Sequence, residues 1–271
     1  MTLLDHTTRS GWGARGRTPG LTAALALTLA LTSGPALPAR AAETPPDAAK
    51  VLDRYIEATG GKAAHDAIRN SVSKMTLSLP AQDVSFAMTV YAARPNQVYS
   101  LLESPMTGRI ENGVSGDVVW DLSAMTGPRL REGQERTNGL RDATFDPWSR
   151  WREIYEQAAL AGVDTVNGKP CDKVVVTPKA GKPRTAYFDR ASGLLRRLDV
   201  TFESPAAVAT MRILLDDYRK AGGILVAYRT EIEAMGQTRV TVLDSIAHNV
   251  DLPADRFEPP AEVKKLLEAK K

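Results

Sequence analysis

The stretch of sequence that decides the fold includes LLRRLDVTFES at residues 194–204 and runs from Arg184 to Asn249. Apolar and charged residues alternate in it, as in Arg197, Leu198, Asp199 and Val200. Three further runs between residues 209 and 246 repeat the pattern. Alternation with a period of two over roughly ten residues predicts half-buried strands. The region therefore predicts long antiparallel strands with one apolar face and one charged face.

Shorter strands precede this region. Five are predicted between residues 75 and 122, and Asn112-Gly113 is a strong hairpin signal before the last of them. Three more are predicted between residues 162 and 189. Short turns between neighbouring strands indicate a meander. Together these patterns predict an α+β fold with a single antiparallel sheet of about 11–12 strands.

Helical patterns occur before, between and after the two groups of strands. The first begins near Asp47, and a polar, Lys-rich helix over residues 261–271 is expected to fray. In the middle, Asp146 is predicted to cap a helix that starts at Pro147. One face of that helix would carry aromatic residues at helical spacing, namely Trp148, Trp151 and Tyr155. Two interpretations stay open for them: core packing against the sheet, or a lid that also lines a cavity.

The first 41 residues differ from the rest of the chain. They contain arginines, then an apolar run from Leu21 to Leu31, then the small-residue site Ala39-Arg40-Ala41. This order is typical of a secretory signal peptide, and the apolar run is shorter than the roughly 20 residues that a membrane-spanning helix needs. We therefore expect cleavage after Ala41, a periplasmic protein without a lipid anchor, and no transmembrane segment after cleavage.

The predicted domain organisation follows from these boundaries. A signal peptide covers residues 1–41, one domain covers 42–260 with a helical insertion at about 123–158, and a polar tail covers 261–271. Removing the signal peptide takes away four of the 35 basic residues and one of the 32 acidic ones, so the mature chain is formally neutral. That balance gives no support for a nucleic-acid partner.

The chain lacks the motifs that mark common catalytic and metal sites. It contains no metalloprotease helix motif, no cysteine pair and no glycine-rich phosphate loop, and GVSGD at residues 113–117 departs from the hydrolase elbow at its last position. His65 and His248 are the histidines of the mature chain, and packing roles are predicted for both. Cys171 is predicted to be a buried, unpaired thiol, with an intermolecular bridge or a redox role as the alternative. We predict no cofactor, no metal and no enzymatic activity.

Several short motifs resemble those of the LolA/LolB-like periplasmic lipoprotein carriers, the outer-membrane lipoprotein-sorting proteins. They are LDRYIEA at 52–58 before Gly60-Gly61, VNGKPC at 166–171, YFD at 187–189 before SGLL at 192–195, DYR at 217–219 before GGI at 222–224, and Leu252-Pro253 before Phe257. The resemblance implies a strongly curved antiparallel sheet, an unclosed β-barrel covered by helices on its concave side. It also implies an apolar interior that accepts acyl chains.

The resulting hypothesis is a periplasmic carrier of lipoproteins or other acyl-chain ligands, with an inner-membrane donor and an outer-membrane acceptor as partners. The residues expected to line its cavity and lid are Phe86, Met88, Trp120, Trp148, Trp151, Tyr155, Met211 and Tyr228. The alternative is an envelope-stress sensor or scaffold of the same fold that binds a membrane-protein partner.

Overall fold

The computed structural model describes residues 47–104, 108–204 and 207–270. The predicted signal peptide lies outside these residues. Five helices are found in the described part: α1 Ala48–Ala58, α2 Lys62–Ala67, α3 Gly133–Asp142, α4 Trp151–Ile154 and α5 Ala261–Glu268. None of the helices within these ranges is long and apolar enough to cross a membrane.

Thirteen strands form one antiparallel sheet. They are β1 Asn70–Leu79, β2 Val84–Ala93, β3 Gln97–Ser104, β4 Gly108–Ser115, β5 Val118–Ser123, β6 Gly127–Leu130, β7 Tyr155–Val166, β8 Lys169–Pro178, β9 Arg184–Asp189, β10 Leu195–Ser204, β11 Ala207–Ala221, β12 Ile224–Ala234 and β13 Gln237–His248. The spatial order runs from β6 back to β1, then from β13 back to β7, so the sheet ends at β6 and β7. The predicted α+β fold with an unclosed antiparallel barrel is confirmed. The strand absent from the prediction is β6, which lies within the segment 123–158 that was predicted to be a helical insertion.

Strong curvature of the sheet follows from the contacts of α3. Its residue Gly139 lies against Val119 of β5, whereas Arg141 donates a hydrogen bond to the carbonyl of Ala180, just before β9. β5 and β9 are nine strand positions apart in the sheet, which would be about 43 Å in a flat sheet. A ten-residue helix is about 15 Å long. The sheet must therefore curl until α3 reaches both of its ends.

Helices α1 and α3 lie on the concave side, which we call the inner face. α1 buries Val51 and Leu52 against the last strands of the sheet, where its partners are Val174, Val176, Ala186, Phe188 and Leu195. α3 covers the first strands, where Leu140 of the helix and Ala143, the residue directly after it, pack with Val98, Val114 and Val119. Cross-strand pairing puts these two sets on the same side of the sheet. Apolar burial under α1 and α3 holds the helices to the inner face.

The outer face of β2–β6 carries a second apolar cluster. Trp120, which is fully buried, packs with Tyr99 and with Phe257 and Val263 from the C-terminal segment. α5 was expected to fray, but its Val263 is fully buried in this cluster. Part of the first half of the sheet is therefore covered on both faces, by α3 on the inside and by α5 on the outside.

The predicted hairpin at Asn112-Gly113 is wrong. Both residues lie inside β4, and the turn to β5 comes at Gly116 and Asp117. A Cβ atom on Gly113 would lie 2.4 Å from the indole of Trp120, its cross-strand neighbour. Glycine stands at this position to make room for a large side chain on the next strand, and not to form a turn.

The predicted helix after Asp146 is also wrong in extent. The helical segment is the single turn α4, and Tyr155 already begins β7. Asp146 has a positive φ of 50° and directs its carboxylate to His65, with 2.8 Å between the carboxylate oxygen and Nδ1. Because its carboxylate is hydrogen-bonded to His65, Asp146 does not cap a helix.

Candidate functional site

Five apolar residues form a row across the inner face. Cross-strand pairing places them opposite one another on β13, β1, β2, β3 and β4, in the order Leu243, Met75, Met88, Leu102 and Ile110. Leu102 lies on the same side of β3 as Val98, which α3 contacts. Strands are spaced at about 4.8 Å, so the row is about 20 Å long. We call this set the inner apolar row.

The helices leave most of this row uncovered. Leu243 is buried, but Met75, Met88, Leu102 and Ile110 are all partly exposed. Within the described ranges, none of these four side chains belongs to the buried clusters or packs against them. An apolar surface of this size inside a curved sheet is available to an apolar ligand.

The apolar inner surface continues on the other half of the sheet. Leu198, Ile213 and Ile232 form one row there. Val200 and Met211 form the next, where a cavity of about 390 Å³ opens beside α3. A second cavity of about 250 Å³ lies on the other side of α3, over Val98, Val114 and Val119. α3 thus lies between two openings into the barrel.

Three of the residues predicted for the cavity lie on this inner surface. Met88 belongs to the inner apolar row, Phe86 is the next inner residue along β2, and Met211 lies in the 390 Å³ cavity. Sequence reasoning did not select Leu102, Ile110 or Leu243. The alternation of apolar residues in their strands indicates that these residues lie on an apolar face. It does not indicate which strands become neighbours, so it does not predict the row.

Trp148, Trp151 and Tyr155 lie together in the cluster under α1. The Trp148 ring centroid is 5.5 Å from Tyr155 and 5.8 Å from Phe188, and the Trp151 indole donates a hydrogen bond to Asp53 of α1. Of the two interpretations left open by the sequence, this placement corresponds to core packing against the sheet. The aromatic residues fix α1 and α4 to β7–β9.

Trp120 and Tyr228 lie apart from the other predicted residues. Trp120 is on the outer face under α5, and together with Gly113 it also contributes to the lining of the 250 Å³ cavity. Tyr228 stacks against the guanidinium of Arg219, 4.7 Å from its ring centroid, and Arg219 is paired with Asp217. The structure therefore does not bring the eight predicted residues into one site.

A chain of hydrogen bonds joins Thr59, His65 and Asp146. The Thr59 hydroxyl is 2.9 Å from Nε2 of His65, and the Asp146 carboxylate is 2.8 Å from Nδ1. This order of groups resembles a catalytic triad, but Thr59 is fully buried. A nucleophilic hydroxyl must reach its substrate, so the contact serves to hold α2 against the segment before α4.

Cys171 and His248 are packed against other parts of the fold. Cys171 is a buried free thiol, as predicted, and burial together with Asp189 raises its pKa. Burial lowers the pKa of His248, whose ring lies against Gly222. The described residues contain no group of three or more histidine, cysteine or acidic side chains placed to hold a metal ion.

Similar folds occur in solved structures. A DUF1329 family protein from Desulfovibrio piger has a TM-score of 0.57 and 16% identity over 81% of this chain and 100% of its own. An outer membrane lipoprotein-sorting protein domain from Vibrio parahaemolyticus has a TM-score of 0.56 and 14% identity over 82% and 99%. A LolA superfamily protein from Nitrosomonas europaea has a TM-score of 0.53 and 12% identity over 79% and 99%.

These comparisons confirm the resemblance to LolA superfamily proteins at the level of the fold. No protein-family model matches the chain. No curated protein matches it either. The class that fold and site define together is an unclosed barrel with an apolar inner face.

Proposed function

We propose that this protein is a periplasmic carrier that holds the acyl chains of a lipid or lipoprotein against its inner face and supports lipoprotein sorting to the outer membrane. The observation that carries the proposal is the inner apolar row, in which Met75, Met88, Leu102 and Ile110 remain partly exposed. The predicted signal peptide supports the periplasmic location. The shared fold with a lipoprotein-sorting domain supports the cargo class.

The energetics favour a carrier of this form. Each methylene group of an acyl chain that leaves water contributes about 0.8 kcal/mol, so a long chain needs a shielded surface to cross an aqueous space. The barrel provides apolar surface over about 20 Å along the inner apolar row. The surface is only partly covered, which limits affinity and permits release to an acceptor that binds the chain more tightly. Nucleotides and metals are not needed for such a transfer.

The test is native mass spectrometry with lipid extraction, on protein purified from its own periplasm without detergent. We expect a bound lipid or acylated protein at a defined stoichiometry. Met88→Glu places a carboxylate in the inner apolar row and should lower ligand occupancy at least about tenfold, because an unpaired charge would be desolvated by the ligand. Thr89→Glu is the matched control, since Thr89 is on the outer side of the same strand opposite Lys74.

Two results would contradict the proposal. One is equal loss of ligand in both variants. The other is an apo mass for the wild-type protein with no uptake of added lipid or acylated peptide. The second result would favour the sensor or scaffold alternative, and a stoichiometric membrane-protein partner should then copurify.

A further inference from the structure

A polar stripe crosses the inner face of β3–β5. Cross-strand pairing places Ser100, Asn112 and Asp121 next to one another on these strands. Ser100 and Asn112 lie two positions along their strands from Leu102 and Ile110 of the inner apolar row, which is a distance of about 7 Å. Polar groups are costly to bury beside an apolar surface unless they form hydrogen bonds. The polar groups of the stripe therefore require partners.

Asp121 has its partners within the fold. Its carboxylate accepts hydrogen bonds from Arg129 and Arg131, and Arg129 also pairs with Glu135 of α3. Burial acts to raise the pKa of Asp121, but the two guanidinium groups outweigh it and hold the pKa below its usual range. This end of the stripe connects the sheet edge to α3, so its role is structural.

Ser100 and Asn112 are less well satisfied than Asp121. The Ser100 hydroxyl is 3.5 Å from the Asn112 side-chain oxygen, and the Asn112 amide nitrogen is 3.3 Å from the Asp121 carboxylate. Good hydrogen bonds are shorter, at about 2.7–2.8 Å for hydroxyl donors and about 2.9–3.0 Å for amide donors. Both side chains are only partly exposed. Much of their hydrogen-bonding capacity is therefore unused within the described part of the chain.

These two side chains line the 250 Å³ cavity beside α3. The lining also includes Asn138, which belongs to α3, and Arg131. The Asn138 side-chain oxygen accepts a hydrogen bond of 3.0 Å from Gln134, whereas its amide nitrogen donates to no other described residue. An amide nitrogen can donate two hydrogen bonds. The cavity thus combines amide and hydroxyl groups from the sheet with an unused amide donor from the helix.

The charges at this cavity are already paired. Of the described residues that line it, the charged ones are Arg131 and Asp142. Arg131 pairs with Asp121, and Asp142 pairs with Arg184. A carboxylate or phosphate in the cavity would lose its hydration without gaining a free counter-charge. An uncharged carbonyl group loses less hydration and can accept the amide hydrogen bonds that are on offer.

We propose that Ser100, Asn112 and Asn138 form a subsite for the uncharged ester or amide group of an acyl-chain ligand, whose chain lies on the inner apolar row. This proposal rests on the proposed carrier function, because it names the polar group of the same ligand. The ligand carbonyl accepts hydrogen bonds from the two asparagine side chains, and Ser100 supplies a hydroxyl beside them. The protein is then selective for acyl esters and amides over fatty-acid anions of equal chain length.

The experiment compares three probes by displacement of a neutral fluorescent dye, phenylnaphthylamine: N-methyldecanamide, methyl decyl ether and decanoate. The wild-type protein should bind the amide at least about tenfold more tightly than the ether, since one or two net hydrogen bonds correspond to about tenfold. The amide should also bind more tightly than decanoate. Ser100→Ala and Asn138→Ala should each reduce the preference for the amide severalfold and leave the ether affinity unchanged. Thr137→Ala, on the same helix but outside the cavity lining, should keep the preference.

The outcomes separate this proposal from the carrier function. Equal binding of the amide and the ether by the wild-type protein, or tighter binding of decanoate than of the amide, would overturn the subsite and leave the carrier function in place. A preference that is unchanged in both variants would overturn the assignment to these residues. No binding of the dye or of any probe would overturn both proposals. Alanine is a better helix former than asparagine, so α3 should remain folded in Asn138→Ala.

Discussion

At the scale of single residues, the contact between Gly113 and Trp120 is one of the tightest in the barrel. The indole occupies the space that a side chain at position 113 would need. We expect Gly113→Ala to lower the free energy of unfolding by about 1–3 kcal/mol, the usual cost of overpacking. Urea denaturation measures this change. In a Trp120→Ala background the cost should disappear, and a cost of the same size in both backgrounds would contradict the explanation.

Asp146 gives a prediction for pH dependence. Burial acts to raise its pKa, but hydrogen bonds from His65 and Ser149 and the charge of Arg94 outweigh burial and hold the pKa below its usual range. A carboxylate with a lowered pKa stabilises the folded state above its unfolded pKa, and the contribution is lost as the pH falls through the folded value.

Asp146→Asn should therefore lower the free energy of unfolding by about 1–3 kcal/mol at neutral pH. The difference from the wild type should shrink below about pH 4. Asp66→Asn is the control, because Asp66 is an exposed neighbour paired with Lys62. If the difference in the free energy of unfolding between Asp146→Asn and the wild type stays constant from pH 7 to pH 3, the stabilising role of the Asp146 carboxylate is contradicted.

Residue roles were the hardest part to predict from the sequence. Asp146-Pro147 has the local chemistry of a helix start, but the partner that takes its carboxylate is His65, 81 positions earlier in the chain. Asn112-Gly113 has the chemistry of a turn, but Trp120 on the next strand determines the role of the glycine. In both cases a contact between distant or neighbouring elements overrides a local preference.

At the scale of elements, α5 is a packed part of the fold. Val263 is fully buried against Trp120 and Phe257. Val263→Asp should lower the free energy of unfolding by at least about 3 kcal/mol, because it would bury an unpaired charge. Lys265→Gln, at an exposed position of the same helix, should change it by less than about 0.5 kcal/mol. Equal effects of the two substitutions would show that α5 is not docked.

Elements with a sustained pattern were predictable. The long strands β10–β13 follow the alternation in the sequence, and α1 follows its apolar spacing. β6 was missed because it is a four-residue edge strand that contains Pro128, and neither its length nor its proline favours a strand. The start of β7 was predicted too late because Trp148, Trp151 and Tyr155 are at helical spacing. Tyr155, the first residue of the strand, was therefore assigned to a helix.

At the scale of the whole molecule, α3 connects the two halves of an open sheet. A Cβ atom on Gly139 would lie 2.7 Å from Val119, so Gly139→Leu should push the helix away from β5. We expect hydrogen exchange to become faster in α3 and at the edge strands β6 and β7, with little change in the central strands β1 and β13. Gln134→Leu, which places the same side chain at an exposed position of α3, is the comparison. Faster exchange throughout the sheet would indicate general destabilisation instead.

The curvature could not be obtained from the sequence patterns alone. Alternation specifies that each strand has an apolar face, but it does not specify how far the sheet bends. The bend is visible in the reach of α3 from Val119 to Ala180. The inner apolar row depends on how the strands pair in the same way, since Met88 and Ile110 lie in one row only because their strands are neighbours of β3.

Because the sheet is not closed between β6 and β7, the circumference of the barrel can change. In a closed barrel, every strand is hydrogen-bonded to both of its neighbours, and these bonds fix the circumference. A larger ligand could enter only if all the backbone hydrogen bonds between two neighbouring strands were broken. Here the two ends of the sheet are bridged by side chains of α3, such as Asp142, which pairs with Arg184 of β9, and Arg141, which donates a hydrogen bond to the carbonyl of Ala180. Widening the ring therefore disturbs a few side-chain contacts and leaves every strand pair intact. Under the proposed carrier function, one chain would therefore accommodate ligands of different thickness.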